Sequence, residues 1–192
     1  MPVESHAATS YNESMEAKGL NERVHVWVES RLLGNLAPVE KPGWLLKYLF
    51  KIPIGLFLMG LGNWAGPHFL MITTCGHKSG RPRHTPLEFS ICSETGQPII
   101  MSGWGERSDW VRNLRADPRC TLWMGKQRTR VLAVPLSPAS AADVIGQYLA
   151  NTPSMRGYFE RFSGVKVDGS REALLAAAPS FPCFRLQPDA LP

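Results

Sequence analysis

The chain has 192 residues, 44% of them apolar and 19% charged, with a formal charge of +5 and a pI near 9.2. That length suits one domain with an ordinary hydrophobic core and needs no second. Cys75, Cys92, Cys120 and Cys183 form no CxxC pair and no Cys/His cluster, which excludes a zinc site of familiar spacing and suits reduced, buried thiols in a cytoplasmic protein.

Residues 1–19 are polar, with Glu4, His6, Asn12 and Glu13 ahead of any apolar run, unlike a secretory signal. Val24, Val28, Arg31 and Leu32 suggest a short helix over 20–33, and a Gly/Pro-containing break follows at 34–43. From Trp44 to Leu61 the chain is aromatic and amphipathic. A spanning helix needs about 20 predominantly apolar residues, but Pro53, Gly55, Gly60, Gly62 and Asn63 interrupt this stretch, which reads as a lid, a buried helix or an interfacial segment. Residues 1–64 are therefore expected to form an N-terminal helical and aromatic lid. Within it, residues 44–61 are the part suited to peripheral contact with the inner face of the cell membrane.

Residues 65–192 carry the remaining elements. Phe69 to Thr74 has the composition of a buried strand, and His84 to Cys92 gives the next, with a turn at 93–96 leading into a strand at 98–102. Ser108 or Asp109 caps a short helix through Trp110 and Leu114 that Asp117-Pro118 ends. Residues 120–124 and 127–134 are strands joined at Gly125-Lys126. Helices are expected at 139–150, 154–162 and 170–178, and a final strand at 181–186. This order is poor in βαβ units. It points to a mainly β, α+β fold, a small antiparallel barrel or curled sheet with helices packed outside.

Between the first two strands lies Gly76-His77-Lys78-Ser79-Gly80-Arg81-Pro82-Arg83, and no Asp or Glu occurs between Glu40 and Glu88. Such a stretch creates a positive potential that suits nucleic acid, an anionic lipid surface or a phosphorylated small molecule alike. The loop is either a charged hairpin tip whose glycines serve the turn or an anion cradle. In the cradle reading Ser79 and nearby amides donate to phosphate while Lys78 and Arg83 supply charged bonds, and His77 and His84 are further hydrogen-bonding candidates. Ser102-Gly103-Trp104-Gly105 permits a sharp turn that sets an aromatic face or backbone amides against a flat ligand, or lets Trp104 cover a barrel end. Trp110 suits a core anchor. The chain lacks a Walker A loop, a GxSxG elbow and HExxH spacing. It also lacks a helix-turn-helix, finger or RNA-binding signature, so no nucleic acid partner is expected.

The spaced set Ile72-Thr73-Thr74-x-Gly76-x-Lys78-Ser79-Gly80-x-x-Arg83-x-x-Pro86-Leu87, then Ser102-Gly103, then Trp110-x-x-Asn113-Leu114-x-Ala116-x-Pro118 resembles the deazaflavin (F420)-dependent nitroreductase family, over roughly residues 65–187. The resemblance implies a split β-barrel of the FMN-binding, pyridoxamine-phosphate-oxidase-like kind that binds coenzyme F420. It implies that Lys78, Ser79 and Arg83 hold the phosphate or acidic tail, with Thr74 and His77 in the same motif. Pro86 would lie near the deazaflavin ring, Ser102, Gly103 and Trp104 beside it, and Trp110 and Asn113 would support the pocket. His77 stands where that family usually has Arg, and Val111 where an aromatic is frequent.

By that resemblance no side chain is catalytic and no metal is needed. Reduced F420 delivers hydride to a lipophilic quinone, a nitroaromatic or an activated enone, and the protein supplies binding and orientation. Trp44, Tyr148 and Tyr158 are the candidate substrate wall. The competing classes are a non-catalytic F420 carrier and an FMN- or haem-binding protein on the same barrel, as a monomer or homodimer.

Overall fold

Along β1 (Phe69–Cys75), Leu70, Ile72 and Thr74 point to one face, and Met71, Thr73 and Cys75 to the other. Five of the seven are apolar, and burial on both faces extends from Leu70 to Ile72. The computed structural model, which describes residues 52–62 and 68–189, curls six antiparallel strands into a closed barrel. β1 pairs with β2 (Pro82–Ile91), then come β3 (Pro98–Met101) and, later in the chain, β6 (Cys183–Pro188), β5 (Gln127–Pro135) and β4 (Arg119–Met124), which returns to β1. Closure leaves no open sheet edge.

The inward face of each strand fills the barrel: Leu70 and Ile72, Phe89, Ile100, Leu122, Val131 and Ala133, Phe184 and Leu186. Between them sit Trp110, Val111 and Leu114 of the short helix Asp109–Ala116, with the Trp110 and Phe184 rings edge to face at 5.8 Å. That helix is therefore part of the barrel core and has a fixed orientation.

Outward residues meet two further layers. Ile99 and Cys183 lie under three helices, Pro138–Asn151, Arg156–Ser163 and Arg171–Ala177, whose apolar sides add Ile145, Leu149, Tyr158 and Phe159. Ser137 and Ser170 cap the first and third, their hydroxyls accepting from Ser140 N–H and Ala173 N–H. On the other flank Met71 and Trp123 lie under Phe57 of the first described helix, Ile52–Leu58. Gly62 presses against the Phe57 ring and the Gly125 carbonyl: a Cβ there would stand 2.6 Å from one and 2.8 Å from the other. The segment is thus anchored to the barrel wall, while Leu58, Met59 and Leu61 remain exposed. No helix among the described residues is long and apolar enough to cross a membrane. The expected helix at 20–33, Trp44 and most of the expected lid lie outside the described residues.

The expected barrel with outer helices is what the chain forms, with shifts at element ends. β2 begins at Pro82, so Arg83 is a strand residue opposite Thr74. The last strand runs 183–188 instead of 181–186, because Phe181 N–H closes a 3-10 turn onto Ala178 O and the Pro182 carbonyl accepts from Ser102 N–H. The expected helices at 154–162 and 170–178 are joined to 3-10 turns at Pro153–Met155 and Ala178–Ser180, each holding a proline near its start.

Burial raises the Cys183 thiol to about 12. Burial, with a smaller effect from the Asp117 carboxylate, does the same for Cys120. Above about pH 8.5 the unfolded thiols lose protons that the folded ones keep. The unfolded state then binds fewer protons, and stability falls as pH rises, on the order of 2 to 3 kcal/mol per thiol by pH 10.5. We expect the urea midpoint to fall between pH 8.5 and 10.5, and the slope to flatten in a Cys120→Ala/Cys183→Ala variant. An equal slope in both proteins would contradict this account.

Candidate functional site

The connection between β1 and β2 is closed on itself. Gly76 N–H donates to Arg81 O at 2.9 Å, and Gly76 O accepts from Ser79 N–H at 3.0 Å and Gly80 N–H at 2.7 Å. Gly80 turns the chain at φ +62°, a conformation that favours glycine. A side chain at Gly76 would begin 2.8 Å from Ser79 Oγ and 3.1 Å from Arg81 O, so both glycines are required by the turn.

Asn113 holds this loop to the rest of the molecule. Its side chain, 3% exposed, accepts at Oδ1 from His77 N–H at 3.0 Å and lies 2.8 Å from His77 Nδ1 through the same oxygen. Its Nδ2 donates to Thr74 Oγ1 at 3.0 Å, and Thr74 is itself 1% exposed. The carboxamide thus ties the helix Asp109–Ala116 to the end of β1 and to the loop that follows.

Loop, strand and helix enclose a cleft of about 400 Å³. His77, Lys78 and Ser79 come from the loop, Arg83, His84 and Thr85 from β2, and Asp109, Trp110 and Asn113 from the helix. Asp109, the acid of this set, is 3.1 Å from Arg112. Among the described residues no carboxylate pairs with Lys78 or Arg83, and both are exposed, so the cleft carries net positive charge. The amides of Gly76, Ser79 and Gly80 are engaged in the loop's own bonds and that of His77 in its bond to Asn113 Oδ1, so these four are already committed within the protein. Ser79 Oγ likewise lies 3.4 Å from Arg81 N–H.

The structure gathers Thr74, His77, Lys78, Ser79, Arg83, Trp110 and Asn113 in and behind this cleft. It places the others elsewhere. Pro86 stands opposite Met71 in the register, on the outward face of β2. Ser102, 1% exposed, directs its hydroxyl inward, donating to Gly105 O at 3.0 Å and 2.8 Å from Ser108 Oγ. Gly103 gives its carbonyl to the Tyr158 hydroxyl at 2.5 Å. Tyr158 is buried between Phe159 and Phe162, and burial lifts its hydroxyl to about 12. It therefore works as a strut under the Ser102–Gly105 turn. Tyr148 packs on Phe159 in the same layer, Trp104 begins the 3-10 turn Gly105–Arg107, and none of these lines the cleft. Trp44 lies outside the described residues.

Thr85 and Asp109 line the cleft without having been singled out for it. Their signal was available: Thr85 shares a face of β2 with Arg83, two residues apart, and Asp109 is one helical turn from Asn113. His84 is held from behind, its Nδ1 2.9 Å from Thr73 Oγ1, which accepts from Trp123 Nε1 at 2.9 Å.

Comparison with known proteins identifies residues 59–167, more than half of the chain, with the family described as F420H(2)-dependent quinone reductase. No curated protein matches the chain. Among solved structures, an F420-H2 dependent reductase is 20% identical over 62% of this chain and 94% of its own, with a TM-score of 0.44. The haem storage protein HutZ of Vibrio cholerae is 21% identical over 74% of this chain and 92% of its own, at 0.40. A pyridoxamine 5'-phosphate oxidase-like protein of Listeria innocua is 14% identical over 73% and 94%, at 0.40.

Replacing Asn113 by Ala leaves the Thr74 hydroxyl and the His77 amide without their partner. We expect a loss of about 2 kcal/mol in urea unfolding, together with faster hydrogen exchange at the His77 amide. A loss below about 0.5 kcal/mol with unchanged exchange would show that the loop is held by other means.

Proposed function

The chain belongs to the family of F420H(2)-dependent quinone reductases, and we propose that it holds the acidic end of F420 in the cleft beneath the Gly76–Arg83 loop. It is an F420-dependent oxidoreductase, and the observation that carries the assignment of the site is the pair of exposed cations, Lys78 and Arg83, without carboxylate partners among the described residues, on a loop tied down by Asn113. Lys78 offers a compact charge and Arg83 a planar fork suited to phosphate or carboxylate oxygens. Because the loop is already ordered by its own bonds, little conformational entropy is lost when an anion arrives.

When bound, the reduced coenzyme supplies a hydride. The chain's contribution is to bind and orient it: cations at the acidic end, Trp110 and Thr85 along the cleft, and apolar barrel wall behind. The hydride acceptor is proposed to be a lipophilic quinone, with nitroaromatics and activated enones as further acceptors of the same electrophilic class. A lid built from residues 1–64 suits such a substrate, since the end of that segment that is described presents Leu58, Met59 and Leu61 outward.

Titration with oxidised F420 and with FMN tests the site. The wild type is expected to bind F420 selectively, and Lys78→Ala and Arg83→Ala each to weaken it about tenfold, the low end for a charged hydrogen bond at an exposed position. Unchanged affinity in both variants would contradict the assignment. Oxidation of reduced F420 with menadione then separates a reductase from a carrier, because tight binding without turnover is the carrier's result.

A further inference from the structure

His77 is restricted to one neutral tautomer by its surroundings. The backbone N–H of His77 can only donate, so the Asn113 atom 3.0 Å away must be the amide oxygen. The other end of the amide is then Nδ2, which donates to Thr74 Oγ1. Asn113 Oδ1 can only accept, so His77 Nδ1, 2.8 Å from it, must carry hydrogen. In the neutral ring this leaves Nε2 with a lone pair and no proton.

That nitrogen belongs to a ring lining the cationic cleft, in the company of Lys78 from the same loop, Arg83 and His84 from β2, and Asp109 from the helix Asp109–Ala116, paired with Arg112. A phosphate or carboxylate oxygen meeting a lone pair at Nε2 is repelled. The same oxygen meeting a protonated ring gains a charge-assisted bond, while Nδ1–H keeps its bond to Asn113. From this geometry we infer that the site takes up a proton at His77 Nε2 together with its anionic ligand, so that affinity falls as pH rises and His77 loses its charge. A guanidinium at position 77 would make the same contact at every pH. The inference rests on the proposed coenzyme site for the identity of the ligand, and on the Asn113 geometry alone for the tautomer.

Two measurements test it. Long-range proton–nitrogen spectra of the imidazoles in the free protein at pH 8.5, with His77 assigned by its absence in His77→Gln, should show the Nδ1–H tautomer. An Nε2–H ring would overturn the inference whether or not coenzyme binds. Calorimetric titration with oxidised F420 in two buffers of different ionisation enthalpy should show net proton uptake between pH 6.5 and 8, and a loss of affinity of roughly tenfold between pH 6 and 8.5. His77→Gln keeps the backbone bond to Asn113 and any titration of the coenzyme itself, and should lose both effects. His77→Arg should bind with the flat pH profile of His77→Gln at higher affinity. A pH slope and proton uptake equal in wild type and His77→Gln would overturn the inference alone. Failure of F420 to bind at any pH would overturn the coenzyme site, and this inference with it.

Discussion

Asn113 uses its whole carboxamide, donor and acceptor, on residues 36 and 39 positions earlier in the chain. With 3% exposure, it has little access to water, so each of those bonds would be costly to leave unmade. The result is a loop whose conformation is set by the interior of the protein, although the loop itself is at the surface. A rigid cationic loop can receive an anion without first being ordered. The electrostatic character of the cleft therefore depends on a neutral amide.

The barrel decides where that amide stands. Trp110, Val111 and Leu114 are drawn into the barrel core by the same burial that orders the strands, each such side chain contributing about 1.5 to 3 kcal/mol. Once those three face inward, Asp109 and Asn113, one helical turn apart, are directed to the cleft. The helix stops where Asp117 N–H caps onto Asn113 O at 2.9 Å, before Pro118. In the sheet, the register sets Thr74 opposite Arg83, so the residue that receives Asn113 and the residue that carries the charge sit across from one another where the loop leaves the strands.

Much of this was legible in the residues. The succession of strands and helices along the chain, the helix after Ser108 and the glycine-bounded cationic loop each follow from local composition and spacing, and Asn113 was legible through its spacing from Trp110 and Pro118 in the family pattern. What composition could not supply was the phase of the strands. β1 is apolar on both faces because Phe57 and Trp123 cover the outer one, so alternation gives no inside and outside, and the outward placement of Pro86 emerges only from pairing. Ser102 and Tyr158 are polar residues whose hydroxyls satisfy backbone carbonyls at Gly105 and Gly103. The family resemblance set Ser102 beside the ligand and aromatic surface made Tyr158 a wall candidate, whereas the role of their hydroxyls in the turn, as internal donors, becomes visible only in the fold. That role depends on tertiary structure and leaves no local signature.

Charge and packing thus divide the work of the site. Asp109 is held by Arg112, leaving the cationic side chains of the cleft to dominate its potential, and the Gly76, Ser79 and Gly80 amides are absorbed in holding the loop's shape. On the proposed reading, the acidic end of the coenzyme meets Lys78 and Arg83, with the barrel wall beneath them. The most direct measurement is a crystal structure of the protein with oxidised F420. The account predicts phosphate or carboxylate oxygens within hydrogen-bonding distance of Lys78 Nζ and the Arg83 guanidinium, with the loop unchanged on Asn113. An acidic end bound elsewhere, with the Gly76–Arg83 loop free of ligand, would contradict it.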